Sequence, residues 1–213
     1  GSSFNKVNRY PNITIYIQGT INTMISSYPD FYYGNLIISK GALRTVSFSP
    51  STTSNMINLS GDLTLVNADD RLLVEANNTL TLRGNVTGLG MIAGSSTSSL
   101  VVDNMNAPAI NPLRILGATH FKDFIINRRA GVTLSNGFVI RDNLRLNNSS
   151  LLTLPPQTLT LGINGTVPTP GSFSGDGTLI GSNNSSLTVR GKDTAAVTLR
   201  FDQTSVSNYT LKN

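Results

Sequence analysis

A stretch of thirteen residues occurs twice in this chain, and a long internal period constrains a fold more than any single motif does. Gly90-Met-Ile-Ala-Gly-Ser-Ser-Thr-Ser-Ser-Leu-Val-Val102 returns as Gly177-Thr-Leu-Ile-Gly-Ser-Asn-Asn-Ser-Ser-Leu-Thr-Val189, 87 residues later. A weaker copy of its end, Asn12-Ile-Thr-Ile15, stands 87 residues before the first. Other landmarks keep nearly the same step: Leu36-Ile-Ile38 and Phe124-Ile-Ile126 are 88 apart, Leu113-Arg-Ile115 and Leu199-Arg-Phe201 are 86 apart. Leu63-Thr-Leu65 and Leu144-Arg-Leu146 are only 81 apart, and Thr79–Leu82 and Thr158–Leu161 only 79, so the repeat contains indels of several residues.

A period of 87 residues is too long for one coil and must be subdivided. Alternating apolar triplets begin at 13, 36, 63, 80 and 100, and again at 100, 124, 144, 159 and 187. Taken as successive rungs, they divide each unit into four turns averaging about 22 residues, a coil length suited to a parallel β-helix. The expected fold is therefore all-β: a single-stranded parallel β-helix (β-solenoid), taken as right-handed, with about four coils per 87-residue repeat. It would run as one domain over 1–213, with units at about 13–99 and 100–186 and a partial third at 187–213.

Local chemistry agrees. Ile13-Thr-Ile-Tyr-Ile17, Leu80-Thr-Leu82 and Leu159-Thr-Leu161 alternate apolar and polar, the period of a half-buried strand. Thr at the outward positions suits a pleated surface. Between the strands stand Asn77-Asn78, Asn147-Asn148, Asn183-Asn184 and Gly175-Asp176-Gly177, residue types that tolerate the positive φ of sharp corners. Only 38% of residues are hydrophobic and 13% charged, so apolar side chains are spread thinly. A stacked coil accounts for this, since each short strand sends only one or two side chains inward. The rival is a pair of β-sandwiches of 87 residues each; against it, no linker separates the units.

The block Gly-x-Leu-x-Gly-Ser-x-x-Ser-Ser-Leu-Thr-Val, then Leu199-Arg-Phe201 and Asn208-Tyr-Thr-Leu211, together with the Leu- and Thr-rich run Asn143–Gly162, resembles a known repeat. It is similar to the repeat region of large secreted, adhesin-like cell-surface proteins of Bacteroidetes-type bacteria. The likeness covers most of 60–213 and more weakly 11–59. It implies an extracellular or cell-surface stalk or adhesin. The segment Phe31-Tyr32-Tyr33 departs from the pattern.

Candidate sites are few. Tyr28, Phe31, Tyr32 and Tyr33 form the one dense aromatic cluster, either a surface whose rings stack on sugar faces or a cover for the flank of a coil. Asp69-Asp70 is the one adjacent acid pair; two carboxylates can divide acid and base roles, but this pair reads as a solvated corner. His120 has no Ser or Cys at a catalytic spacing. Gly175-Asp176-Gly177 lacks the repeated nonapeptide of calcium-binding turns. No catalytic residue, metal or cofactor is therefore expected, and the chain reads as a non-enzyme. Sixteen basic residues against eleven acids are scattered, Arg128-Arg129 being the densest spot, which reads as a mildly cationic surface rather than a nucleic-acid interface. No run approaches a membrane span.

Strand-forming residues near both ends, Ile13 and Ile15 at one and Tyr209, Thr210 and Leu211 at the other, would leave unpaired edges open to strand addition. The expected partners are accordingly a second copy, joined end to end or laterally, or a surface polysaccharide. The functional expectation is a structural or adhesive segment of a surface protein or fibre, the alternatives being a self-polymerising filament subunit and a carbohydrate-binding module or polysaccharide lyase.

Overall fold

A computed structural model describes residues 9–25, 31–40, 44–48, 55–163, 169–181, 184–191, 196–201 and 207–209. These contain twenty-three strands and no helix, arranged as sheets of fourteen, four and five strands. Nearly all neighbouring strands are parallel and one coil apart in sequence, so the protein is a parallel β-solenoid.

Register shows how the repeat is built. Asn58 pairs with Thr81, Thr81 with Val101, Val101 with Ile125 and Ile125 with Arg145. Four coils therefore carry the chain from 58 to 145, the full length of the sequence repeat. The residues on either side of this line form two inward columns, Ile57–Leu80–Leu100–Phe124–Leu144 and Leu59–Leu82–Val102–Ile126–Leu146. Every member is at most 1% exposed. Alternation puts the columns inside because successive side chains of a strand point to opposite faces. Each such burial is worth about 1.5–3 kcal/mol, repeated coil after coil in one continuous apolar cluster. Phe121, Phe124 and Phe138 thicken it with edge-on ring contacts at 5.6–6.3 Å.

Two of the assumed rung assignments are corrected. Leu63 stacks beneath Val86 rather than Leu80, which itself lies over Ile57. Likewise Leu144 pairs with Phe173 while Leu159 pairs with Leu187. The triplets at 63 and 80, and at 144 and 159, are strands within a coil and its return, not successive layers of one column. Leu100, Phe124 and Leu144 do stack in the order expected.

The repeated motif marks a repeated corner. Gly88 and Gly175 take φ of 94° and 109° at the ends of their strands. After each, two successive N–H groups donate to one carbonyl of the coil before: Leu89 and Gly90 to Leu65 O, Asp176 and Gly177 to Leu146 O. Gly88 pairs with Leu65 and Gly175 with Leu146, so the second of these coils is the longer by six positions. Eight positions are added where the strand Thr158–Ile163 folds into a small antiparallel hairpin with Thr169–Pro170, and two are missing before it, between Leu146 and Leu161 as against Leu65 and Leu82. That insertion turns the offset of 79 between Leu82 and Leu161 into the 87 between Gly88 and Gly175. Asn77, Asn148 and Asn184 adopt positive φ at other corners, as their residue type predicts.

At the far end the direction of stacking changes. The strand Ala196–Phe201 runs antiparallel to Ser185–Arg190, and Ser207–Tyr209 runs antiparallel to Thr178–Gly181.

Candidate functional site

The expected aromatic patch divides by strand parity. Tyr33 points inward, 4% exposed, its ring 5.6 Å from that of Phe48, so it is core and not a sugar platform. Tyr32 faces outward, half-buried, with the Arg83 guanidinium 5.7 Å over its ring, a cation–π contact that occupies one face. Phe31 is placed by its backbone, which pairs with Ile57, and Tyr28 lies outside the described residues. Exposed apolar side chains instead gather on the first coil: Ile13, Tyr16, Ile21 and Met24 are 46–72% exposed, while Ile15 is half-buried against the core. Tyr209 pairs with Leu179 in the antiparallel closing strands, and Thr210 and Leu211 lie outside the described residues.

The acid pair also separates. Asp69 is exposed, but Asp70 is fully buried, correcting the reading of a solvated pair. Its carboxylate accepts the backbone N–H of Lys40 at 2.7 Å and that of Asn67 at 2.7 Å, with Asn67 Nδ2 at 3.2 Å. It is a corner brace reaching one coil back. Lys40 is buried too; its ammonium donates to the carbonyls of Ile21 and Gln18 and to Thr23 Oγ1. His120 begins the strand His120–Ile126, half-buried and paired with Val139.

Arg128 departs furthest from expectation. Read as surface charge, it is the largest fully buried side chain among the described residues. Its guanidinium donates to four backbone carbonyls: Asp103 O at 3.2 Å, Pro108 O at 3.0 Å, and Arg83 O and Gly84 O at 2.8 Å each. Those carbonyls belong to corners up to 45 residues away in sequence. Desolvation lowers its proton affinity, while the charges of Asp103 and Asp62 oppose that shift. Arg129, next to it, is exposed.

Among the described residues, two polar depressions mark the outer surface. One is wide and flat, over the corner column Asp103, Asn127, Asn147 and Asp176; there Asn147 Nδ2 donates to Asn127 Oδ1 at 2.8 Å, knitting one corner to the next. The other is a more enclosed groove of about 460 Å³ crossing four successive rungs, walled by Thr79, Ser99, Lys122, Asp123, Arg141 and Asp142. Thr79, Ser99, Asp123 and Asn143 are vertical partners. Asp123 accepts Ser99 Oγ at 3.1 Å and Asn143 Nδ2 at 2.6 Å, and Ser172 Oγ donates on to Asn143 Oδ1. Lys122 Nζ lies 3.7 Å from Asp123, and Arg141 Nε 3.2 Å from Asp142, the latter without hydrogen-bond alignment. Arg141 also reaches two coils back to Ser96 O. The sequence reading missed this groove. Its walls come from residues a full coil apart in the chain, neighbours only once register is known. Among the described residues, no three His, Cys, Asp or Glu gather as metal ligands, and no helix is long and apolar enough to cross a membrane.

Fold and surface together define a β-solenoid with a braced polar exterior. Compared with known proteins, the chain matches no family model, no curated protein and no solved structure.

Proposed function

We propose that this chain is a structural and adhesive β-solenoid segment of an extracellular bacterial surface protein or fibre, and that it is not an enzyme. One observation carries the reading: the inward columns continue from coil to coil without a break, while outward hydroxyls and amides are bonded rung to rung, as Thr64 to Thr87 and Thr158 to Ser186. Such a column has nearest-neighbour cohesion along its whole length and works as a stiff spacer. Its low charge and its Asn-, Ser- and Thr-rich surface fit exposure outside the cell, where a polysaccharide is the natural partner.

Polymerisation by end-to-end strand addition is the weaker reading. A further parallel coil would have to stack on the strands Ala196–Phe201 and Ser207–Tyr209, and both run against the direction of the column. A flow assay tests the proposal. Beads carrying the chain are expected to be retained on polysaccharide-coated surfaces with the coating left intact. Absent retention, combined with release of reducing sugar, would instead favour a lyase or hydrolase.

A further inference from the structure

We infer that the groove walled by Ser99, Lys122, Asp123, Arg141 and Asp142 binds an extended, neutral saccharide chain lying along the solenoid axis. This rests on, and deepens, the adhesive reading.

The lining sets the chemistry. No aromatic or large aliphatic side chain borders the groove, so an apolar ligand would gain little from it. Two cations and two carboxylates stand there in adjacent pairs, Lys122 beside Asp123 and Arg141 beside Asp142. Each cation already has its counter-charge, so neither a polyanion, such as a uronate or nucleic-acid chain, nor a polycation is favoured. What remains is a dense mixture: charged donors, charged acceptors, and the hydroxyls of Thr79, Thr97 and Ser99 that serve as both. The complementary ligand group is one that donates and accepts at once. Sugar hydroxyls do so, and vicinal pairs of them match a carboxylate or guanidinium edge in two-point contact.

Geometry sets the length and direction. Thr79, Ser99 and Asp123 occupy successive rungs of one column, about 4.8 Å apart. That spacing is close to the advance of one pyranose ring along an extended chain, so successive rings lie opposite successive rungs, the first two offering hydroxyls and the next two charged pairs. At about 460 Å³ the groove falls within the range of ligand sites, about 300–1,000 Å³. Its walls are held before any ligand arrives: Asp123 is fixed from both sides by Ser99 and Asn143, and Arg141 is tethered to Ser96 O. Preorganised groups keep more of their interaction energy on binding. The flatter depression over Asp103 and Asp176 has no comparable enclosure.

The test is titration of the intact chain, followed by NMR amide shifts, with hexamers of β-1,4-glucan, β-1,3-glucan, xylan and α-mannan, and with a galacturonate hexamer. At least one neutral hexamer should bind more tightly than its dimer, with shifts confined to residues 77–79, 97–99, 122–123 and 141–142. Asp123→Ala and Arg141→Ala should each weaken it about tenfold, the loss of one charged hydrogen bond. Asp123→Asn, which keeps the column's shape, should weaken it without altering the thermal melt. Tyr16→Ala, on an exposed ring away from the groove lining, should change nothing. Silence with every neutral hexamer, salt-sensitive preference for the galacturonate, or undiminished binding by Asp123→Asn and Arg141→Ala would overturn the inference. Small-angle scattering on the same sample separates the two readings: a rod that binds no sugar rejects the groove alone.

Discussion

Replacing Arg128 by leucine tests how far this fold depends on a charge inside its core. The native guanidinium makes four hydrogen bonds to carbonyls of corners contributed by other coils. Hydrogen bonds to charged groups are worth about 1.5–3 kcal/mol each, about 6–12 in all. Against this stands the cost of taking the cation out of water, several kcal/mol after relaxation, which the variant no longer bears. Leucine brings no donor; counted from the carbonyls it strands, the same loss is about 1–3 kcal/mol apiece, less where water reaches them. The net destabilisation expected is the difference between these two terms, about 3–5 kcal/mol. Arg128→Lys keeps the charge but has three donors on a point rather than a five-donor fork, and should cost less, about 2 kcal/mol. Urea denaturation followed by circular dichroism gives both numbers. Hydrogen exchange should place the loosening at residues 83–84 and 103–108, where the orphaned carbonyls lie. A leucine variant within about 0.5 kcal/mol of the parent, the level of an ordinary surface change, would refute the reasoning.

Further outcomes follow from the same contacts. Gly88→Ala and Gly175→Ala should each destabilise by about 2 kcal/mol or more by thermal melt. At both sites φ is positive, and the added Cβ would run into the backbone carbonyl of Leu65 or Leu146. Asp70→Ala should cost about 2–3 kcal/mol, by leaving the N–H groups of Lys40 and Asn67 without their acceptor, while Asp69→Ala should fall within about 0.5 kcal/mol of the parent. Leu100→Ala, in the centre of an inward column, should cost about 2–5 kcal/mol by denaturant titration.

What could be read from the residues, and what could not, has a physical pattern. Alternation in Leu80-Thr-Leu82 or Leu144-Arg-Leu146 reports a strand and its buried side, because that depends on neighbours in the chain. The corner Gly and Asn positions were legible for the same reason, since positive φ is a local demand. Which strand lies on which depends on register between segments a whole coil apart, where one apolar triplet serves as well as another. Hence triplet spacing alone puts Leu63 under Leu80, whereas its partner is Val86. The insertion at the hairpin could be measured as a changing offset but not placed. Arg128 was illegible because its partners are backbone carbonyls, which every residue carries. Tyr32 and Tyr33 needed one more piece of information, the parity of their strand, to decide which ring is outside. The groove was hidden most completely: Asp123 and Arg141 are ordinary alone and gain meaning only as vertical neighbours.

Distances between spin labels on one outward column bear on parallel stacking itself. Met56, Thr79, Ser99, Asp123 and Asn143 follow one another rung by rung, so Met56 and Asn143, one full repeat apart in sequence, are four coils apart in space. With Met56 labelled and the second label moved to Asp123, then to Asn143, dipolar broadening in continuous-wave electron paramagnetic resonance should correspond to label separations of about 14 Å and about 19 Å, a rise of about 4.8 Å per coil. Separations that fail to grow with coil number would contradict the account. So would a Met56–Asn143 gap several times the expected value, as two separate sandwiches would give.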